Sequence, residues 1–142
     1  MSEIKSEKNI GIRIFAGIVD YSIIYLFKFI LLIILGEPDS HGMARINGFP
    51  ALLPVFFWFI MTVGLEQWNG KTIGNLLVGL KPIPINGNNE KLTMIQSIKR
   101  HLLDPIDMFF FGIGAIIINK TEKNQRLGDI WAKTIVVKIA GK

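Results

Sequence analysis

The sequence predicts an all-α integral membrane protein with a small two-stranded β-ribbon, and three observations predict it. Half of the 142 residues are hydrophobic and only 19% are charged, below the roughly 25% of soluble domains. Residues 12–35 and 49–67 are apolar runs that match a hydrocarbon core, which needs about 20 helical residues at 1.5 Å each. Residues 80–85, LKPIPI, and 133–139, KTIVVKI, carry the prolines or β-branched residues of extended chain. The length fits one domain over residues 1–142.

The first run follows a basic tail, as a signal peptide would. A signal's apolar core spans about 7 to 15 residues before a small-x-small site, whereas this run reaches Leu35 and leaves through GEPDSHG, so it reads as a retained transmembrane helix. It contains Asp20 and Lys28. The lysine can snorkel to an interface, but the short aspartate cannot. The linker around Arg45 is rich in glycine, proline and polar residues and reads as a translocated loop. In the second run Pro54 falls early, where a missing donor is tolerated, and Trp68 lies at an interface-like position. Thr72 to Val78 fits one or two helical turns, LKPIPI an edge strand and INGNN a turn.

Residues 92–118 form a third hydrophobic segment, amphipathic to His101 and then mostly apolar, with Asp104, Pro105 and Asp107 crowding its middle. Its uninterrupted part, residues 108–118, is too short to span. With three spanning helices, eight basic residues would share the N-terminal side and seven the other. With a re-entrant or interfacial segment, every basic residue outside the runs except Arg45 lies on one side, as the positive-inside rule requires. The second arrangement is preferred. It gives a multi-pass protein of the cell (inner or plasma) membrane with a cytoplasmic N-terminus and a cytoplasmic ribbon.

Net charge is +5, which on this chain reflects topology and contact with anionic headgroups rather than nucleic acid, since no zinc-finger or aromatic-basic motif is present. Cysteine is absent, which excludes disulfides, thiolate nucleophiles and sulfur metal sites. His41 and His101 form no metal pattern, and His101 reads as interfacial. No serine triad can be assembled, so the expectation is a non-enzyme without cofactor or metal.

Charged residues recur at one spacing. Arg13 and Asp20 are seven apart, two turns along one helical face, and Arg100 and Asp107 repeat the arrangement. Arg126 precedes Asp129 by three. An ionised carboxylate in lipid costs several kcal/mol unless paired, so Asp20 calls for Arg13, Arg100 or Arg126 as partner. Asp104 and Asp107, one turn apart around Pro105, read as acids facing water at a kink.

These residues fall in three ordered motifs: RIFAGIVD fits RxxAxxxD, NGKTIGNLLVGLK fits GxTxGKxxxGLxV, and QRLGDIWAKTIVV fits RxxDxxAxTxVV. In that order, from Ile12 to Val137, the chain resembles the RDD family of bacterial membrane proteins, named for one arginine and two aspartates. By position these are Arg13, Asp20 and Asp129. Asn75 stands where the family carries a basic residue. The resemblance implies a small multi-helix membrane domain with a proposed role in transport of unidentified ligands, and no known reaction.

Arg13, Asp20 and Asp129 can be read as a proton or cation site, because neighbouring acids raise and arginine lowers a carboxyl pKa. They can equally be read as an ion-pair cluster fixing the first helix against KTIVVKI. Arg100, Asp104, Asp107 and Arg126 are the supporting residues. Gly70, Gly74 and Gly79 lack P-loop spacing and read as turn and close-packing glycines. The functional expectation is transport of a small cation or proton-coupled solute. Two spans cannot wall off a water path from lipid, so transport requires a homo-oligomer or another membrane protein. The alternative is a membrane adaptor or assembly factor docked on such a partner.

Overall fold

A computed structural model of the chain describes residues 6–87, 91–109 and 111–139. Lys5 and Lys142 of the charge count, and Asn88 and Asn89 of the predicted turn, lie outside the described residues.

Helix α1 (Ile10–Leu35) starts where the Asn9 side chain accepts from the Ile12 amide at 3.2 Å, and its 26 residues make about 39 Å of helix. The linker folds into a minimal hairpin, β1 (Glu37–Pro38) on β2 (Ala44–Arg45), closed by Asp39 accepting from the His41 and Met43 amides. Helix α2 (Phe49–Asn69, 21 residues) returns along α1. It opens as a 3-10 turn with Pro50 in its first turn, continues as α-helix, widens to a π turn over Ile60–Gly64 and ends at Gly70, whose φ of +76° closes it in the left-handed region. Phe27 stacks on Phe57 with centroids 3.8 Å apart, pinning the two helices together.

Thr72 caps α3 (Ile73–Leu77), and β3 (Leu80–Pro84) follows. Thr93 and Gln96 form a capping box that starts α4 (Met94–Leu102). Helices α5 (Asp104–Phe109) and α6 (Phe111–Lys120) come next, then α7 (Leu127–Ala132) and β4 (Thr134–Lys138). Strands β3 and β4 are antiparallel in the register Leu80↔Lys138 to Pro84↔Thr134, and the Glu7 amide joins the ribbon edge at Val136 O, 2.7 Å. Lys133, expected in the strand, instead turns the chain at φ 55°.

Among the described residues only α1 and α2 are long and apolar enough to cross a membrane. In the third segment α6 is longest, at 10 residues or about 15 Å, half a hydrocarbon core. A Cβ on Gly114 would lie 2.8 Å from the Asp107 carbonyl oxygen. Residues seven apart on a straight helix are separated by about 10 Å, so α5 and α6 turn back on each other rather than forming one rod. They lie against the ribbon-side half of α1: Tyr21 bonds Asp104, and Gly17 faces Met108.

Burial is inverted relative to a soluble domain. Ile33 and Ile34 of α1 are each 69% exposed and Phe49 is 80% exposed, while Glu66, Arg100, Asp104 and Asp129 are buried. The apolar core proper is a small cluster of Ile83, Ile135 and Val137 under the ribbon. Such a distribution suits a molecule whose outer apolar faces meet lipid.

Candidate functional site

The polar cluster lies where the N-terminal half of α1, the C-terminal half of α2 and the short helices meet. Asp129, fully buried on α7, joins two elements: its Oδ2 accepts from Arg13 Nη2 at 2.6 Å and its Oδ1 from Arg100 Nη1 at 2.5 Å. Its carboxyl is held near pKa 2, because Arg100, Arg126 and Arg13 outweigh the burial that opposes ionisation. Arg13 also donates to the Asn124 carbonyl, and Arg100 to the Thr134 hydroxyl. The charged groups thus tie the first span to the start of β4.

Asp20 differs from the expectation. It shares a face with Arg13, yet no arginine pairs with it; it accepts from the Thr72 hydroxyl at 2.6 Å and the Gly74 amide at 2.7 Å. The reason is the approach of α3. A Cβ on Gly74 would stand 2.0 Å from the Ala16 carbonyl oxygen, so only glycine lets the first turn of α3 reach the aspartate. Arg13 meanwhile reaches Asp129. Gly70 and Gly79 hold the left-handed turns on either side of α3, with φ +76° and +70°.

Asp104 is not at a water-facing kink but buried, within 2.6 Å of Arg126 Nη1 and of His101 Nδ1, and it accepts from the Tyr21 hydroxyl at 2.9 Å. Burial opposes its ionisation, but Arg126 and His101 dominate and hold its carboxyl well below the usual range. Asp107 accepts from the Leu127 and Gly128 amides at 3.3 and 3.2 Å, with Arg126 Nε 4.0 Å away. Burial pushes its carboxyl up. The arginine side of the exchange is reciprocal: burial opposes the Arg126 charge, and Asp104, Asp129 and Asp107 overcome it and hold the guanidinium ionised.

Three contributors were not legible in the sequence. Glu66, at the far end of the second run, is fully buried, with Oε1 3.1 Å from His101 Nε2 and 3.4 Å from Arg100 Nη2. His101 is buried between Glu66 and Asp104 rather than interfacial. Burial disfavours its charge, but Asp104 and Glu66 more than compensate and raise it to about 9. Tyr21, which donates to Asp104, also accepts from Trp58 Nε1 at 3.2 Å. Only the apolar-to-polar change after Val63 could have pointed to Glu66.

A cavity of about 110 Å³ penetrates the cluster, bordered by Asp20, Asp104, Asp107, His101 and Arg126. That is room for several waters or a hydrated small ion. No group of three or more His, Asp or Glu among the described residues is arranged to hold a metal ion. What the arrangement can do is hold and exchange protons or small cations at carboxylates whose partners differ: Asp104 and Asp129 are locked by cations, Asp20 and Asp107 are seated mainly by neutral donors.

A family model described as the RDD family matches residues 8–133. No curated protein and no solved structure matches the chain.

Proposed function

The chain belongs to the RDD family, and on that premise we propose that this membrane protein moves a small cation or proton-coupled solute through the charged cluster. The observation that carries the reading is the seat of Asp20. A buried carboxylate next to a cavity with room for several waters, satisfied by Thr72 and Gly74 rather than by a cation, can release or take up a positive charge without breaking an ion pair. Arg13, Arg100 and Asp129 form the fixed frame around it.

In this proposal the ribbon end faces the cytoplasm. Lys8, Lys71, Lys81 and Lys138 flank the spans at that end, against Arg45 at the other. Two spans cannot enclose a path, so copies of the chain, or another membrane protein, complete it through the exposed faces of α1 and α2. A second reading, a membrane adaptor with no transport of its own, is favoured by the double engagement of Asp129, which is what a purely structural lock would show.

Reconstituted liposomes separate the two. Wild type is expected to dissipate an imposed cation or proton gradient, and Asp20→Asn to abolish that flux while still accumulating in the membrane. Absence of wild-type flux at every pH and gradient refutes transport. Crosslinking in native membranes then distinguishes a self-assembled complex from an adaptor bound to a different protein.

A further inference from the structure

Two stretches of the chain repeat one backbone pattern at a constant offset of 54 positions. The described non-glycine residues with positive φ, Asn124 at 49° and Lys133 at 55°, align with Gly70 at 76° and Gly79 at 70°. Between them the first turn of each short helix carries a glycine, Gly74 in α3 and Gly128 in α7. Each glycine sits where a Cβ would strike a backbone oxygen, that of Ala16 at 2.0 Å or of Arg100 at 2.5 Å. Strands β3 and β4 follow at the same offset. They pair antiparallel so that Pro82 faces Val136, its own equivalent, with Leu80↔Lys138 and Pro84↔Thr134 disposed symmetrically about that pair. Antiparallel pairing of equivalent strands about equivalent central residues is what a two-fold axis produces.

The symmetry extends to the acids. Each unit receives a carboxylate from a residue seven positions after an arginine: Asp20 after Arg13, and Asp107 after Arg100. Asp20 accepts from the Gly74 amide at 2.7 Å and Asp107 from the Gly128 amide at 3.2 Å. Both acids border the same cavity, and Arg100, another of its walls, keeps a buried Nε without a hydrogen-bond partner among the described residues. The pattern breaks in the contacts around it: Arg126 stands where Thr72 does, and Gly128 meets Arg100 itself where Gly74 meets Ala16, three residues after Arg13. Asp129 corresponds to Asn75, so a single carboxylate holds both equivalent arginines.

We infer that residues 70–84 and 124–138 are two copies of one structural unit related by a local two-fold axis, and that Asp107 is a second exchangeable carboxylate seat equivalent to Asp20. The ligand class at both seats is a proton or a small monovalent cation. Asp129 is then a positioning residue. Around Asp20 stand Thr72 and the α3 amides, with His101 and Asp104 across the cavity. Around Asp107 stand the α7 amides, with Arg126, Asp104 and Asp129 nearby. The exchange role rests on the transport reading; the equivalence does not.

Dicyclohexylcarbodiimide tests the equivalence whether or not flux is seen. It partitions into apolar sites, where a protonated carboxyl adds its oxygen to the carbodiimide carbon and its proton to nitrogen, with no group leaving. Applied to the purified full chain and read by peptide mass spectrometry, it is expected to label Asp20 and Asp107 at rates within about threefold of each other. Asp104 and Asp129 should react at least about tenfold more slowly, since cationic partners depress carboxyl protonation by a unit or more. Sodium chloride should slow both labelled sites together, and choline chloride at equal ionic strength should not. Labelling of Asp20 without Asp107 overturns the equivalence, and protection by choline equal to that by sodium overturns the small-cation assignment. In liposomes Asp107→Asn should match the flux loss of Asp20→Asn, with Asp107→Glu restoring it. Wild-type flux in Asp107→Asn overturns the second seat while leaving transport itself standing.

Discussion

Gly74→Ala should be among the most damaging single-methyl changes in this chain. The new Cβ would lie 2.0 Å from the Ala16 carbonyl oxygen and 2.9 Å from Asp20 Oδ2. The first distance is about 1.4 Å short of ordinary van der Waals contact. The obstacle is backbone of α1, which cannot rotate aside, so α3 must move away as a body. Overpacking of this kind costs about 1–3 kcal/mol. Withdrawal of α3 also lengthens the Gly74 and Thr72 bonds to Asp20, and a hydrogen bond to a charged group contributes about 1.5–3 kcal/mol. Against this, alanine is a better helix former by up to about 1 kcal/mol. The net expectation is a loss of about 2–4 kcal/mol. Gly17→Ala is the control, because its Cβ would meet only the flexible end of Met108, at 3.5 Å. Thermal unfolding of both variants in one detergent decides the matter: Gly74→Ala as stable as Gly17→Ala refutes the close approach of α3 to α1 and the seat built on it.

Asp129→Asn strips the carboxylate from two buried arginines, and breaking a buried pair from one side costs about 3–5 kcal/mol. The variant should lose monodispersity on size exclusion at temperatures wild type withstands, and unchanged behaviour would show that Arg13 and Arg100 are held by other contacts. His101 gives a pH signature. Its folded pKa of about 9 exceeds the reference 6.5, so its stabilisation is complete below about 6.5 and is lost as pH rises through about 9, a swing on the order of 3 kcal/mol. Melting temperature should fall across that window, and His101→Gln should flatten the fall; an equally steep decline in the variant would assign it elsewhere.

What the sequence makes legible follows from what each signal measures. Hydropathy sums along the chain, so both spans can be read without knowing any contact. Prolines and β-branched residues mark β3 and β4 because they act on their own backbone. Motif spacing brought Arg13, Arg100, Arg126 and the aspartates forward as one set, since burial in an apolar setting leaves charges needing one another. Pairing is another matter. Spacing places Arg13 and Asp20 on one face of α1, but which group arrives opposite depends on the glycine that admits α3. His101 carries no local sign that Glu66 and Asp104 will close on it from different segments. The repeat is hidden for a related reason: residues 70–84 and 124–138 share only the glycine at positions 74 and 128, and the left-handed turns that Gly70 and Gly79 make freely are made in the second stretch by Asn124 and Lys133.

The π turn in α2 sets the angular phase of the second span. Each turn over Ile60–Gly64 holds more than the usual 3.6 residues, so residues beyond it are rotated by about 100° per added residue relative to an uninterrupted helix. Upstream, Val55 and Phe56 look outward; Met61, Thr62 and Val63 are buried in succession, and downstream Glu66 points into the charges while Trp68 returns to the surface. A helical wheel drawn through α2 as one cylinder would swing the Glu66 carboxylate out to the exposed side occupied by Val55 and Phe56. The helix therefore carries two azimuths on one axis, an N-terminal half presenting apolar side chains to the surface and a C-terminal half presenting Glu66 to the charged cluster.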